Sequence, residues 1–365
     1  MPQRNVPKAK HILGFAQTLK GGGVERAMLR LAAGWQRAGR KVTLVIGSTG
    51  GPLAKELPAG VEILELGTDD YGALMRALPN IVREKHPDVL FCPGNHYTSA
   101  AGYARLRLGD ACPPIVGKVS NALVRPDYSA LPAWGYRRWL GVHRWFLDHV
   151  VAMTRATAAE AMHEMGLEGH RISVIPNPPA LPIPGAVPLP IPAGRFVLGV
   201  GRLEPQKRWE RLIAAMPRIA DRDVTLTILG EGSLRGELEA QIAAMGLENR
   251  VFLPGHAGDP LPLVKAAQVL ALTSDFEGVP GVLREALALG TPVVATDSSV
   301  SVRELVHSPR LGTVIGRDDA GALVAALDHW LAPGVLRPQP MPANDGDPAA
   351  DYLALFDRVL AQRAA

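Results

Sequence analysis

The segment SDFEGVPGVLREALALGTPVVAT, residues 274–296, carries the most informative pattern in the chain. Glu277 and Glu285 stand eight residues apart, with glycine and proline residues between them. Proline is well tolerated in the first turn of a helix, so a helix is predicted over residues 280–289. Glycine and then proline end that helix, and the apolar run that follows predicts a strand over residues 292–296. The segment therefore predicts a loop, a helix and a strand in succession, as in an α/β fold.

The beginning of this predicted helix offers a binding site for an anion. Free backbone N–H groups and the positive end of the helix dipole lie there, beside the two glutamates. Leu283 and Leu287 lie on the apolar face, so Glu285 is expected to point away from the core. Such a site suits a phosphate, while the carboxylates accept hydrogen bonds from sugar hydroxyls. The alternative is a solvated helix whose glutamates are incidental.

A second pattern is FVLGVGRLEPQKRWERL, residues 196–212, in which a predicted strand is followed by two cations. Arg202 and Lys207 come just after the carboxyl end of that strand, where α/β folds bind ligands. Two cations at this position can neutralise a diphosphate without a metal ion. The alternative is a surface ion pair with Glu204 or Glu210.

Two glycine-rich loops also follow predicted strands. The run GGGVER, residues 21–26, lies between a strand and a helix, and its glycines let backbone N–H groups approach a phosphate or a sugar closely. A flexible loop without a ligand is the alternative. The run GEGSLRG, residues 230–236, misses the GxGxxG pattern by one residue, so it is weak support for a dinucleotide cofactor.

Strand and helix patterns alternate along most of the chain, which predicts parallel sheets with helices on both faces. The predicted strands cover residues 11–16, 41–46, 61–66, 87–92, 115–119, 149–153, 172–175, 196–200, 224–229, 251–253, 269–272 and 292–296. The predicted helices include residues 24–38, 209–219, 234–245, 280–289 and 349–365.

A proline-rich segment separates two halves of this pattern. Residues 176–194 contain eight prolines in nineteen positions, which excludes a helix or a central strand. We therefore predict a stiff hinge over residues 179–194, between an N-terminal domain of residues 1–178 and a C-terminal domain of residues 195–348. Two α/β domains that face one another across a hinge form a cleft for a ligand.

Composition favours a cytoplasmic protein. The two cysteines, Cys92 and Cys112, fit neither a disulfide framework nor a zinc site. No signal-peptide pattern and no continuous apolar span of about 18 residues is found. Residues 1–180 hold 22 lysines and arginines against 14 aspartates and glutamates, which indicates an anionic partner there or ordinary surface charge. No motif that reads nucleic acid is present, so we expect no nucleic-acid partner.

Residues 134–146 combine three of the six tryptophans with arginines along one predicted helix. Mixed aromatic and basic residues suit a lipid interface with anionic head groups. We therefore expect this helix to bind an anionic membrane surface, on the inner face of the cytoplasmic membrane. The alternative is a helix that buries its aromatic rings and solvates its arginines.

Together these patterns resemble the GT-B glycosyltransferases, specifically the large retaining family four, over most of the chain. The resemblance implies two Rossmann-like domains that face one another across a cleft, with the helix of residues 349–365 packed back on the first. It implies that Arg202 and Lys207 bind a donor diphosphate, that Glu285 binds the ribose, and that Glu277 contacts the transferred sugar. The expected donor-binding residues are Gly22, Gly23, Gly201, Arg202, Lys207, Gly230, Glu277, Gly278, Val279, Pro280, Gly281 and Glu285.

The resemblance also implies the substrates. The donor would be a UDP- or GDP-sugar and the acceptor a glycan or a lipid-linked saccharide, in the synthesis of a surface polysaccharide or glycolipid. No cofactor and no metal are expected: we identify no DxD motif in the chain, and the Asp69-Asp70 and Asp318-Asp319 pairs lie in unpromising contexts. For a retaining reaction we favour front-face attack, in which the departing phosphate helps to take the acceptor's proton.

The chain departs from the family pattern in two loops. Many members carry a histidine after the strand that corresponds to residues 115–119, whereas this chain has Asn121 there, which is expected to take a catalytic place near the donor sugar. His96 and its neighbour Asn95 are the acceptor-side candidates, with an ordinary loop histidine as the alternative. Residues 296–304 lack the glycine pair that often precedes the equivalent of Glu304, which leaves the shape of that loop open.

Three other functions compete with this interpretation. A non-catalytic GT-B partner protein is disfavoured by the intact glutamates and cations, and a GT-B epimerase that acts on a nucleotide sugar is the nearest enzymatic alternative. A nicotinamide-dependent oxidoreductase lacks its complete GxGxxG motif.

Overall fold

The computed structural model describes residues 7–20, 22–125, 127–179, 189–341 and 346–363. These residues form two compact units. The first comprises the described residues of 1–124, 128–178 and 344–365, and the second those of 125–127 and 179–343. Most of the predicted hinge, residues 180–188, lies outside the described residues, as does the first glycine of the GGGVER run.

The first unit contains a parallel sheet, in which seven strands are found among the described residues. Their order across the sheet is β3-β2-β1-β4-β5-β6-β7. The strands are β1 His11–Thr18, β2 Lys41–Ser48, β3 Glu62–Glu65, β4 Val89–Cys92, β5 Ile115–Lys118, β6 His149–Ala152 and β7 Ile172–Val174. Most of their side chains are buried on both faces, as the continuous apolar runs predict.

The second unit contains another parallel sheet, with six strands in the order β10-β9-β8-β11-β12-β13 among the described residues. They are β8 Phe196–Val200, β9 Thr225–Leu229, β10 Val251–Gly255, β11 Val269–Leu272, β12 Val293–Thr296 and β13 Gly312–Ile315. Every predicted strand is present in one of the two sheets, and β13 is a strand that the sequence analysis missed.

The α-helices that follow these strands cover the sheets. They are α1 Gly23–Arg37, α2 Tyr71–Lys85, α3 Thr98–Leu108, α4 Ala130–Phe146, α5 Arg155–Met165, α6 Trp209–Ala215, α7 Arg235–Ala244, α8 Leu261–Ala266, α9 Gly281–Ala288, α10 Val300–Leu305, α11 Ala320–Leu331 and α12 Pro348–Arg363. The helix predicted over residues 209–219 is too long: α6 ends before Pro217, which lies in a short 3₁₀ turn. Among the described residues, no helix is both long and apolar enough to cross a bilayer.

Strand order reverses at one point in each sheet, between β1 and β4 and between β8 and β11. Because the chain leaves the two central strands in opposite directions, the loops at their carboxyl ends diverge and leave a crevice. The predicted site residues cluster after these strands: Gly22 and Gly23 follow β1, Asn95 and His96 follow β4, Arg202 and Lys207 follow β8, and Glu277 follows β11.

The C-terminal helix α12 completes the core of the first unit. Phe356 packs edge-to-face on Trp35 of α1, with ring centroids 5.2 Å apart, and both rings are buried. Gly34 lets the two helices approach closely, because a Cβ added at this position would lie 2.4 Å from the Cβ of Ala349. The packing of α12 therefore depends on the absence of a side chain at position 34.

Gly34→Ala is expected to lower the free energy of unfolding by about 1–3 kcal/mol, because the new methyl group must displace α12. Gly135→Ala in α4 is the matched control, since a Cβ there meets no described heavy atom within 4 Å beyond its own helix backbone and neighbours. That change should raise the free energy of unfolding by up to about 1 kcal/mol. Urea unfolding of both variants checks the prediction, and a Gly34→Ala variant as stable as Gly135→Ala would contradict it.

Candidate functional site

A buried ion pair joins the two loops at the crevice of the second sheet. Lys207, after β8, donates from Nζ to Oε1 of Glu277, after β11, at 2.5 Å. The hydroxyl of Ser274 donates to the same carboxylate oxygen at 2.6 Å. Both charged side chains are largely buried, at 15% and 10% exposure. The structure thus brings together two predicted site residues that lie 70 positions apart in the sequence.

Hydroxyl groups of the segment after β12 hold the Glu277 loop in place. The backbone N–H of Glu277 donates to the carbonyl of Ser298 at 3.0 Å. The carbonyl of Gly278 accepts from the hydroxyls of Ser299, at 2.9 Å, and Ser301, at 2.6 Å. These serines were missed as site residues, although the sequence analysis had left the shape of this loop open. Their hydroxyls support the loop directly.

Ion pairs from α6 and the residue before it fix Asp275, at the start of the Glu277 loop. Arg211 of α6 pairs with Asp275 at 2.6 Å and with Asp318 at 2.7 Å. Arg208 lies 3.4 Å from Asp275 as well. A cavity of about 230 Å³ lies beside this network, between α6 and α11, and none of the predicted donor residues lines it.

The two predicted cations have different surroundings. Lys207 is neutralised by Glu277, whereas Arg202 is exposed, and no described carboxylate pairs with its guanidinium. The backbone at Arg202 is anchored, because its carbonyl accepts a hydrogen bond from the indole N–H of buried Trp209 at 2.9 Å. Gly201 makes room for that ring, since a Cβ there would lie 3.2 Å from it. Arg202 therefore offers an unpaired positive charge at the edge of the sheet.

Helix α9 follows the Glu277 loop and begins after Pro280, close to the predicted position. Leu283 and Leu287 are buried and Glu285 is half-buried, as the apolar pattern predicts. The Glu285 Oε1 lies on the Gly281 side, 3.9 Å from where a Cβ on that glycine would stand. The carboxylate is therefore close to the first turn of the helix.

Gly230 has a packing role. Its φ of 147° favours glycine, and a Cβ added there would lie 1.9 Å from the carbonyl oxygen of Gly201. The loops after β8 and β9 also share a hydrogen bond, from the N–H of Leu203 to the carbonyl of Glu231 at 2.9 Å. The close approach of the backbones at Gly201 and Gly230 explains why position 230 has no side chain. Contact of Gly230 with a donor stays a prediction.

In the first unit, Asn95 holds the loop that contains Asn121. Its Oδ1 accepts from the backbone N–H groups of Ser120, at 3.2 Å, and Asn121, at 2.9 Å. The structure thus connects the loops after β4 and β5 through a side chain that was predicted to face the acceptor. Asn95 Oδ1 thus supports the backbone at Asn121, and contact of Asn95 with an acceptor stays a prediction.

A buried carboxylate that the sequence analysis did not single out lies beside the predicted His96. Glu25, in the first turn of α1, accepts a hydrogen bond from the Tyr97 hydroxyl at 2.8 Å. The Nε2 of His96 is 3.7 Å from the same Glu25 oxygen. Glu25 belongs to the GGGVER run, residues 21–26. That run was interpreted only through the backbone N–H groups of its glycines, so the glutamate was not considered. A Cβ on Gly22 would lie 2.3 Å from the other Glu25 oxygen, so this glycine accommodates the carboxylate.

Metal ligation is not evident at either crevice. Within the described residues, no group of three or more histidine, cysteine, aspartate or glutamate side chains could hold an ion. Contrary to the expectation that the chain has no DxD motif, two such triplets are present, at residues 221–223 and 345–347. Asp221 pairs with Arg195 before β9, at the amino edge of the sheet, and Asp345 lies outside the described residues. Independence from metal stays a prediction.

Two family models match the chain. The description of the first is "Glycosyltransferase Family 4", over residues 21–178, and that of the second is "Glycosyl transferases group 1", over residues 194–332. Both candidate crevices lie inside the matched ranges.

Individual proteins match shorter stretches. A Campylobacter jejuni N-acetylgalactosamine-N,N'-diacetylbacillosaminyl-diphospho-undecaprenol 4-alpha-N-acetylgalactosaminyltransferase is 36% identical over 143 residues, which is 39% of each chain. A Streptomyces kanamyceticus 2-deoxystreptamine glucosyltransferase is 30% identical over 190 residues, 48% of this chain and 47% of the relative. The chain thus spans less than half the length of these curated relatives.

Solved structures match nearly the whole chain. Anabaena HepE in complex with UDP-glucose has a TM-score of 0.69 at 21% identity, over 97% of this chain and 99% of that one. WaaG, a glycosyltransferase involved in lipopolysaccharide biosynthesis, has a TM-score of 0.68 at 18% identity, over 96% and 95%. At these identities the likeness shows the fold alone.

Lys207→Met is expected to lower the free energy of unfolding by about 3 kcal/mol, because it leaves the Glu277 carboxylate buried without its cation. Glu277→Gln in the same chain removes that charge and should recover most of the loss. Arg303→Met is the matched control, since Arg303 pairs with Asp297 at an exposed site and its loss should cost less than about 1 kcal/mol.

Urea unfolding of the single and double variants measures the coupling of this pair. If the Lys207→Met and Glu277→Gln changes in the free energy of unfolding are additive, the two side chains do not stabilise each other, which would contradict the account. A Lys207→Met variant no less stable than Arg303→Met would contradict it as well.

Proposed function

Because the chain belongs to the group 1, family 4 glycosyltransferases of GT-B fold, we propose that it transfers a sugar from a nucleoside diphosphate to a saccharide acceptor with retention of configuration. The predicted family and the predicted α/β GT-B fold are confirmed by the family models and by the two parallel sheets. The donor, the acceptor and the stereochemistry are the proposal.

One observation carries the proposal: the neutralised Lys207–Glu277 pair and the unpaired charge of Arg202 both lie in the loops that follow the central strands β8 and β11. An exposed guanidinium at the carboxyl edge of a parallel sheet suits a bidentate contact with phosphate oxygens. The first turn of α9 adds backbone N–H groups for the same anion. The half-buried Glu285 would accept hydrogen bonds from the ribose.

The ion pair also favours front-face attack. Glu277 Oε1 already accepts hydrogen bonds from Lys207 and Ser274, so its charge is balanced and its nucleophilicity is reduced. In the proposed reaction the acceptor oxygen bonds to the anomeric carbon as the bond to the phosphate oxygen breaks. The acceptor's proton passes to the departing diphosphate, whose developing charge Arg202 stabilises. Glu277 then orients the sugar without a covalent intermediate.

A lipid-linked acceptor is supported by the surface of α4. Trp134 and Trp145 are 59% and 74% exposed, so the alternative that this helix buries its aromatic rings does not hold for these two residues. Arg138 lies over the Trp134 ring at 5.3 Å and Arg144 over the Trp145 ring at 5.0 Å. The rings of Trp139 and Phe146, in contrast, pack against the core of the first unit. The exposed rings of Trp134 and Trp145, with the arginines that lie over them, suit peripheral binding to an anionic membrane from the cytoplasmic side.

The names of the relatives fit such an acceptor. The Campylobacter jejuni relative is named for a diphospho-undecaprenol acceptor, and another relative for lipopolysaccharide core biosynthesis. We propose that this chain likewise extends a lipid-linked saccharide in surface polysaccharide or glycolipid synthesis.

The donor site is tested by thermal shift with UDP, GDP, ADP and their sugar conjugates, in EDTA and in Mg²⁺. One class of nucleotide should stabilise the protein in EDTA, and Arg202→Ala should weaken its binding at least about tenfold, the worth of one charge-assisted contact. Arg310→Ala is the matched control, because Arg310 is exposed before β13, at the opposite edge of the same sheet.

Three results would redirect the assignment. Absence of any nucleotide shift would favour the non-catalytic partner, whereas binding that requires Mg²⁺ would overturn metal independence. Conversion of the nucleotide sugar without an acceptor would indicate the epimerase. Proton NMR of the product's anomeric coupling decides retention.

Membrane binding is tested by flotation with anionic and neutral vesicles. Trp134→Ala combined with Trp145→Ala should reduce the bound fraction on anionic vesicles at least about tenfold, since both rings lose their interfacial burial. Leu336→Ala is the control, because Leu336 is 87% exposed in the second unit. Equal flotation of both variants, or no flotation of the wild-type chain, would contradict the proposal.

A further inference from the structure

Glu25 is a carboxylate whose burial the donor chemistry does not explain. The residue is 9% exposed. Among the described residues, it makes no ion pair with a lysine or an arginine. The Tyr97 hydroxyl donates to its Oε1 and in turn accepts from the backbone N–H of Gln17 at 3.0 Å. This chain of hydrogen bonds fixes the carboxylate between the ends of β1 and β4.

Hydrogen bonds and the neighbouring imidazole together keep this carboxylate ionised. Burial by itself raises the pKa of Glu25, but the contacts from His96, from its own backbone N–H and from Tyr97 outweigh burial and lower the pKa below its ordinary value. A buried negative charge without a basic partner is costly unless donors surround it. The neighbouring imidazole is therefore part of what stabilises it.

His96 places one ring nitrogen toward Glu25 and leaves the ring half exposed. The Nε2 to Oε1 distance of 3.7 Å is an electrostatic contact that is slightly longer than a hydrogen bond. The ring packs on Tyr97 with centroids 3.9 Å apart, which restricts its orientation. Among the described residues, no hydrogen bond to Nδ1 is formed.

We propose that Glu25 is a positioning residue that keeps the proton on Nε2 of His96, so that Nδ1 accepts a hydrogen bond from a hydroxyl of the acceptor saccharide. A carboxylate beside one imidazole nitrogen selects the tautomer with the proton on that nitrogen. The other nitrogen then carries a lone pair, which can accept a hydrogen bond from O–H.

The charge of Glu25 also selects the class of ligand. A phosphate at His96 would approach a fixed negative charge in a poorly solvated place, whereas a neutral hydroxyl would not be repelled. His96 orients the acceptor and takes no proton in this scheme, so the departing phosphate remains the base. This inference rests on the proposed function, because it names an acceptor of that reaction.

The first test reads the tautomer by NMR of the full chain with ¹⁵N-labelled histidine, in the absence of any donor or acceptor. His96→Gln identifies the signals of this residue. In the wild-type chain we expect a neutral His96 with the proton on Nε2 at pH 7.5, and in Glu25→Gln a mixture of tautomers. A proton on Nδ1, or an imidazolium at that pH, would overturn the proposal.

The second test titrates the same signals with methyl glycosides of glucose, galactose and N-acetylglucosamine, and separately with inorganic phosphate. We expect at least one glycoside to shift the Nδ1 signal, with at least tenfold weaker binding in Glu25→Gln. Glu65→Gln removes a carboxylate from β3 of the same unit and should leave the binding unchanged. Shifts by phosphate alone would overturn the proposal.

A double variant separates positioning from a general loss of structure. If Glu25 acts through His96, Glu25→Gln combined with His96→Ala should bind the glycoside no more weakly than His96→Ala alone. Additive losses would mean that Glu25 acts elsewhere, and thermal unfolding of each variant verifies that it is folded. Because neither test requires turnover, absence of glycosyl transfer would refute the proposed function while leaving the tautomer measurable.

Discussion

The ion pair between Lys207 and Glu277 is the interaction on which the site of the second unit depends. Two charges lie largely out of water, which is tolerable only if their geometry is held and the remaining donors are supplied. Ser274 supplies one donor, and the adjacent loop is fixed by Ser299 and Ser301. The sheet makes this pairing possible. Strands β8 and β11 are neighbours, so the loops that follow them, which carry Lys207 and Glu277, start side by side at the point where strand order reverses.

The same constraint operates in the first unit with different chemistry. There β1 and β4 are the neighbours at which strand order reverses, and Glu25 and Tyr97 join their loops by a neutral donor and an ionised acceptor. Each crevice thus contains a buried glutamate held by a side chain from the adjacent loop. In the second unit the partner of Glu277 is Lys207, from the same loop as the exposed Arg202, and this arrangement suits a diphosphate. In the first unit the partner of Glu25 is the Tyr97 hydroxyl, next to His96, and this arrangement suits hydroxyl groups.

Local sequence patterns predicted most of the fold, because buried parallel strands are continuous apolar runs between turn residues. Strand β13 was missed because its sequence, GTVI over Gly312–Ile315, begins with glycine and threonine and is not a continuous apolar run. The predicted site residues were largely those that follow the central strands, where the motifs are local. Partners were harder to predict: Lys207 was expected to meet a diphosphate or a nearby glutamate, and its actual partner is set by tertiary packing of distant loops. For Gly230 and Asn95 the structure adds backbone packing and loop support that only the tertiary fold reveals, and their ligand contacts stay predictions.

Hydrogen–deuterium exchange with and without the nucleoside diphosphate that stabilises the protein most tests the central claim directly. The nucleotide should slow exchange of backbone amides in peptides that cover residues 201–208 and 273–285, where Arg202, the Lys207–Glu277 pair and the first turn of α9 lie. Peptides that cover α11, on the far side of the cavity of about 230 Å³, should change little by comparison. Saturating nucleotide that leaves the exchange of residues 201–208 and 273–285 unchanged, while it protects other segments, would contradict the account.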